Sequence, residues 1–207
     1  MTSHDGDRIV FRSRFNKGLS IVAWVLSAIM AGSLLFSSTP ATLVFAVIPA
    51  LGAYLAWLLF WGPAVVVSDE AVTIVNATRT IEVPWEAVTQ VETKYSLTIR
   101  TANASYGSLA APAPGAFGTY TANRDLRVKR NSDVVDASNY RRPSDLSGSD
   151  SGLAAQLVVD RWNRLGDERR ILVGVTEAAP VTIHWHFLRL AGLVVLASAS
   201  VAVIANF

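Results

Sequence analysis

Few residues in this chain are arranged to do chemistry. The pair His184-x-His186 could hold a metal if both rings shared one face of a strand; on a helix they would lie about 200° apart. The remaining histidine is His4, and no third ligand stands at a useful spacing, so with Trp185 between them the two rings read as an interfacial anchor. Gly148-Ser149-Asp150-Ser151-Gly152 has the outline of a nucleophile elbow, but that turn needs Ser at its centre, where Asp150 stands. Asp69-Glu70 offers two carboxylates, yet adjacent strand residues diverge and no base or nucleophile accompanies them; the pair reads as a turn. Asn76-Ala77-Thr78 and Asn103-Ala104-Ser105 match glycosylation acceptors, which stay unmodified on a cytoplasmic domain. There is no phosphate-binding glycine loop and no zinc-protease helix. The absence of cysteine excludes disulfides, thiolate catalysis and cysteine-zinc sites. No catalytic residue, no metal and no cofactor is expected, and the chain reads as no enzyme.

What remains is charge. Arg8, Arg12, Arg14 and Lys17 form a basic N-terminal segment, 1–18, and are candidates for contact with anionic lipid. Arg124, Arg127, Lys129 and Arg130, answered by Asp125, Asp133 and Asp136, form a candidate partner-contact loop. Residues 62–182 carry thirteen Lys/Arg against fourteen Asp/Glu, so bulk electrostatics argue against nucleic acid as a partner.

The elements that position these groups begin with hydrophobic runs. Only 16% of the 207 residues are charged, against about 25% in ordinary domains. Residues 19–36 contain no charge, and at 1.5 Å per residue reach roughly 27 Å, close to the thickness of a hydrocarbon core. A polar turn at Ser37-Ser38-Thr39-Pro40 leads to a second uncharged run, 41–61. A signal peptide is the competing reading of the first run; the second run following at once favours a transmembrane hairpin, 19–61. Ala23, Ser27 and Ala31 share a face of the first helix, and Ala46, Ala50, Gly52 and Ala56 lie on faces of the second. Such faces allow close packing in lipid, though alanine-rich composition alone would produce them. Pro49 predicts a kink. A third uncharged run, 190–207, follows Arg189, and a re-entrant or tilted helix is its alternative by length. Four basic residues precede the first run and fourteen follow the second. The positive-inside rule therefore puts the N-terminus and residues 62–175 in the cytoplasm and the C-terminus outside a multi-pass cell (plasma or inner) membrane protein. Trp57 and Trp61 suit the interfacial aromatic belt, and Trp24 does so less clearly.

Residues 61–101 read as short β-branched strands separated by turns: Val65-Val66-Val67, Val72 to Asn76, Ile81 to Val83, Val88 to Val91, and Leu97 to Ile99. A hairpin is predicted about Asn103-Ala104, then a long flexible loop, 112–152, with edge strands such as Leu126-Arg127-Val128 as an option. Leu153, Leu157, Val158, Trp162 and Leu165 recur at helical spacing while Gln156, Asp160, Arg161 and Arg164 face elsewhere. Trp162 is expected to plug the open end of a β-sandwich. Residues 171–175 are a candidate last strand, and 176–189 a linker.

The motif V-V-V-S-D-E-A-V-T-I-V-N followed by V-P-W-E-A-V-T-Q-V resembles the small bacterial membrane-anchored domains with a pleckstrin-homology (PH) fold. Their pattern is a strand, an acidic turn, G-[VI]-x-[VI]-x-N, then [IV]-P-W-x-x-[VI] and a further strand pair; Ala71 stands where Gly is usual. The resemblance covers about 61–114 and, loosely, the later helix. It implies a mainly β cytoplasmic domain, a PH-like sandwich or barrel capped by one C-terminal helix, beside three transmembrane helices. PH domains that bind phosphoinositides place Lys and Arg on the first strand pair and its loop, whereas Ser68-Asp69-Glu70 stands there. The expected function is a non-enzymatic protein-interaction or assembly module, with an accessory subunit of a membrane complex as one form. Its partners are the lipid bilayer and another membrane or cytoplasmic protein or a second copy. The alternative is an anionic-lipid sensor.

Overall fold

The computed structural model describes residues 2–5, 8–36, 40–93, 96–112, 150–168 and 179–206. Strands β1 (Thr2–Asp5) and β2 (Arg8–Phe11) precede helix α1 (Arg14–Leu35). A 3-10 turn (Pro40–Ala46), helix α2 (Val47–Ala56) and a π turn (Trp57–Trp61) make the second long helix. Then come β3 (Ala64–Val67), β4 (Ala71–Val75), β5 (Arg79–Pro84), β6 (Gln90–Glu92), β7 (Ser96–Arg100) and β8 (Ser105–Pro112). Helix α3 (Asp150–Asp167), strand β9 (Thr182–Trp185) and helix α4 (Phe187–Asn206) complete the described chain.

The strands form two antiparallel sheets, ordered β1-β2-β3-β4-β5-β9 and β6-β7-β8. Alternation builds the core. Val65 pairs with Ile74, and Val67 with Val72; Val72 pairs with Val83, and Ile74 with Ile81. All six are fully buried, which sets one face of the larger sheet against Leu97, Ile99, Ala110 and Ala111 of the smaller. Each such aliphatic side chain contributes roughly 1.5–3 kcal/mol by leaving water. From α3, Ala154, Val158 and Leu165 close the core, about one and then two helical turns apart on one face.

Several expectations need correction. The basic segment 1–18 supplies β1 and β2, and α1 starts at Arg14 rather than near residue 19. Residues 176–189 are not simply a linker, because they contain β9, hydrogen-bonded to β5. The candidate strand 171–175 lies outside the described residues, as does most of the 112–152 loop. Trp162 is only half-buried, packed against the core; the buried aromatics within it are Trp85 and Phe11. Arg161 does not face solvent but is buried, and Leu153, expected inside, is exposed. The kink expected at Pro49 takes the form of a change of winding just before it. The proline sits in the first turn of α2, where its missing N–H costs little.

Three helical stretches, Arg14–Leu34, Thr42–Trp61 and Phe187–Asn206, are long and apolar enough to cross a membrane. Polar contacts link them where small residues permit close approach. The Ser20 hydroxyl donates to the Ala56 carbonyl at 3.1 Å and the Trp24 indole to the Ala53 carbonyl at 3.0 Å. A Cβ on Gly52 would stand 3.2 Å from Ser27 Oγ, so the expected small faces do meet at this crossing. Outward, Val22, Val25, Leu26, Ile29, Val194, Val195, Val201 and Ile204 are all exposed.

Candidate functional site

The helices join the larger sheet with almost no slack. Arg12 and Ser13 alone separate β2 from α1; Gly62 and Pro63 separate the π turn from β3; His186 alone separates β9 from α4. Each joint is fastened. The Ser13 hydroxyl accepts from Asn16 N at 3.0 Å, capping α1, and donates to a carboxylate oxygen of Asp150 at the start of α3. The Asn16 amide donates to the Leu109 carbonyl of β8 at 2.9 Å. His186 N donates to the Thr78 carbonyl at 2.9 Å, and its Nε2 lies 2.9 Å from the Thr80 hydroxyl. The Tyr54 hydroxyl donates to the Arg189 carbonyl at 2.8 Å, fixing the first turn of α4 to α2. Gly62 fits closely where the second helix ends: its N–H reaches back to the Trp57 carbonyl at 2.8 Å, and a Cβ would lie 3.3 Å from that oxygen.

Around these joints cations lie on tryptophan faces. Lys17 Nζ is 5.4 Å from the Trp61 ring centre, the Arg189 guanidinium 5.1 Å from Trp57, and the Arg79 guanidinium 5.5 Å from Trp185. Trp61 in turn touches Trp24, with ring centres 5.0 Å apart. Cation–π attraction of this kind is worth about 0.5–2 kcal/mol, more when water is excluded. Among the described residues the ion pairs join Arg100 to Glu92, Arg161 and Arg164 to Asp69, and Arg164 to Glu168. Lys17, Arg79 and Arg189 have no carboxylate partner among them.

The turn between β3 and β4 is built differently. Ser68 Oγ accepts from the backbone N–H of Glu70 and Ala71, at 3.3 and 3.2 Å, and the Trp85 indole donates to the Ser68 carbonyl at 3.1 Å. Asp69 meets the buried Arg161 of α3 at 2.5 Å and Arg164 at 3.7 Å. Glu70 is held below the ordinary glutamate range by hydrogen bonding from Ser68, then from its own N–H, and by the charge of Arg8. Asn76, at the end of β4, ties the sheets together: its amide donates to the Gly107 carbonyl at 2.8 Å and accepts from Leu109 N at 2.9 Å. Acidic turn, terminal Asn and Pro-Trp thus each have a structural task. Residues 62–168 match the family described as Bacterial PH domain.

The chain belongs to that family. No curated protein and no solved structure matches it. The matched PH domain begins at the Gly62-Pro63 joint and ends with α3. Strands β1, β2 and β9 lie outside it and extend its larger sheet on both sides, β2 on β3 and β9 on β5. Both edges of the PH sheet are therefore occupied by the strands that lead into α1 and α4.

The N-terminal cations are spread over a strand, a joint and a helix. Arg8 is exposed at the end of β2 remote from the helices, beside the Glu70 turn. Arg12 lies in the first joint, half-buried; Arg14 is exposed at the start of α1; Lys17 rests on Trp61. Arg124, Arg127, Lys129 and Arg130 lie outside the described residues. His184 is exposed on β9 and His186 occupies the last joint. Among the described residues no group of three His, Asp or Glu side chains is placed to hold a metal. Arg79 had no signal in the sequence that set it apart. Arg189 had one, its place beside His184-Trp185-His186 at the head of an apolar run.

Proposed function

We propose that this is a non-enzymatic membrane protein whose PH domain is an interaction and assembly module, in one form an accessory subunit of a membrane complex. The three apolar helices cross the cell membrane, with β1, β2 and the PH domain on the cytoplasmic side and the far end of α4 outside. The positive-inside distribution supports that sidedness. One observation carries the reading: the helices join β2, β3 and β9 of the extended PH sheet through joints of one or two residues. Such a domain cannot swing out to recruit a distant ligand. It presents a fixed surface at a fixed height above the bilayer, which suits lateral assembly. Partners remain able to add a strand at the outer edge of β1, at the end of the larger sheet, or to meet residues 116–148.

The test is purification of the full chain in mild detergent with identification of stoichiometric partners, beside variants lacking residues 2–5 or 116–148. A partner retained by the full chain and lost from one variant is expected. A strictly monomeric full chain, or partners indifferent to both deletions, would contradict the reading. The uncompensated cations at the joints favour a second reading, contact with anionic lipid.

A further inference from the structure

The cation–tryptophan pairs at the joints differ from ordinary snorkelling residues in what they lack. Arg189 sits in the first turn of α4, inside an apolar stretch that begins at Phe187. Its guanidinium lies on Trp57, and one nitrogen is 3.9 Å from the point where a Gly62 side chain would begin. Arg79 stands opposite Trp185 in the β5–β9 register, just before α4 starts. A guanidinium over an indole face leaves the N–H groups that point away from the ring available. Neither arginine has a carboxylate partner among the described residues. The nearest acidic side chain along β5, Glu82, belongs to the opposite face of that strand by alternation. A cation held beside the hydrocarbon boundary is stabilised by an anion there.

The surroundings indicate the anion's source. Trp185 is 50% exposed, Phe187 72% and Leu188 89%. A free inorganic anion has no use for these apolar flanks, and an acidic protein segment would have to bury polar backbone against them. A phospholipid supplies both halves: a phosphate for the arginine rims and acyl chains for Phe187 and Leu188.

We infer that the face where β9 passes into α4 binds the phosphate of an anionic membrane phospholipid, held by Arg79 and Arg189 and seated on Trp185 and Trp57. The inference rests on the proposal that the helices cross a membrane. The bound lipid is a structural one: it neutralises the joint and fixes the PH domain's height and tilt.

Native mass spectrometry of the full chain in mild detergent tests this, with phosphatidylglycerol, phosphatidylcholine or inorganic phosphate added. The expected result is a retained phosphatidylglycerol adduct, with neither of the other two retained comparably. R79Q/R189Q should bind it about thirtyfold more weakly, from the ~1 kcal/mol each basic residue gives near an anionic surface. R100Q, a surface change elsewhere, should leave it intact. Should the double variant not fold, each single variant is expected to lose about fivefold. Equal retention by variant and wild type, equal retention of phosphatidylcholine, or displacement of the lipid by inorganic phosphate or by a copurifying acidic protein would overturn the site. Alkaline carbonate extraction of the same membranes separates the two claims. Release of the wild-type chain would sink the membrane reading itself, whereas a membrane-retained chain without lipid selectivity sinks only the site.

Discussion

Replacing Asp69 by Asn should unfold the PH domain far more readily than its position in a surface turn implies. Asp69 and Arg161 have side chains only 10% and 8% exposed, and their charged atoms are 2.5 Å apart. Arg164, 52% exposed and 3.7 Å away, is a weaker second partner. Removing one member of a buried pair leaves the other charge in a poorly hydrated site, a loss of about 3–5 kcal/mol. Neutralising both members together is often tolerated, because the desolvation cost disappears with the attraction. Asp69→Asn and Arg161→Met should therefore each be severe, and the double variant should cost clearly less than their sum. Glu92→Gln, which breaks the exposed pair with Arg100 at 2.9 Å, is the internal control, with an expected loss below about 1 kcal/mol. Thermal melting of the full chain in mild detergent, followed by far-ultraviolet circular dichroism at the β-sheet band, reads the difference. For a domain of this size about 3 kcal/mol corresponds to a fall in Tm of roughly 12–24 °C. If Asp69→Asn melts within a few degrees of Glu92→Gln, the ion pair does not lock α3 onto the β3–β4 turn.

Other variants probe the rest of the domain by the same melting measurement. Trp85→Ala should cost about 3–5 kcal/mol, because Trp85 is 1% exposed and its indole is hydrogen-bonded; Trp162→Ala, at a half-buried site, should cost clearly less, and the reverse order would refute this view of the core. Asn76→Ala should cost about 1–3 kcal/mol by deleting two hydrogen bonds to β8, at roughly 0.5–1.5 kcal/mol each, and hydrogen exchange should quicken at Leu109. Glu70 titrates below its unfolded value when folded, so its stabilisation is complete above the ordinary glutamate pKa and is lost as pH falls through the lower folded value. Glu70→Gln should flatten that part of the acid limb, and the two proteins should converge at low pH; unchanged pH dependence would contradict the assignment.

The β3–β8 meander was legible because its strands are short β-branched runs and its turns carry Ser-Asp-Glu and Asn-Ala signals. Even Asn76 and Trp85 stood out, as parts of a motif, though their partners Gly107, Leu109 and Ser68 did not. β2 and β9 were not legible as strands. Each is four residues long, all four residues of β9 are exposed, and both adjoin apolar helices that dominate the local pattern. Arg161 looked like a solvent-facing residue because helical periodicity reads charge as outside; what buries it is Asp69, a contact that no local pattern encodes. The joint had half a signal. Lys17, Trp57, Trp61 and Arg189 suggested an interface by composition, but Arg79 joins them only through the β5–β9 register.

The central claim is that the PH domain is fixed on one side of a membrane that its three helices cross. The chain has no cysteine, so single substitutions can be labelled cleanly. Glu82→Cys and Gln90→Cys lie at exposed strand positions of the domain, and Asn206→Cys at the far end of α4. With a membrane-impermeant maleimide on intact cells, the account predicts labelling at 206 alone, and labelling at all three positions after lysis. Labelling at 82 and 90 in intact cells with protection at 206 would reverse the sidedness. The same response at all three positions would contradict the claim that α4 crosses.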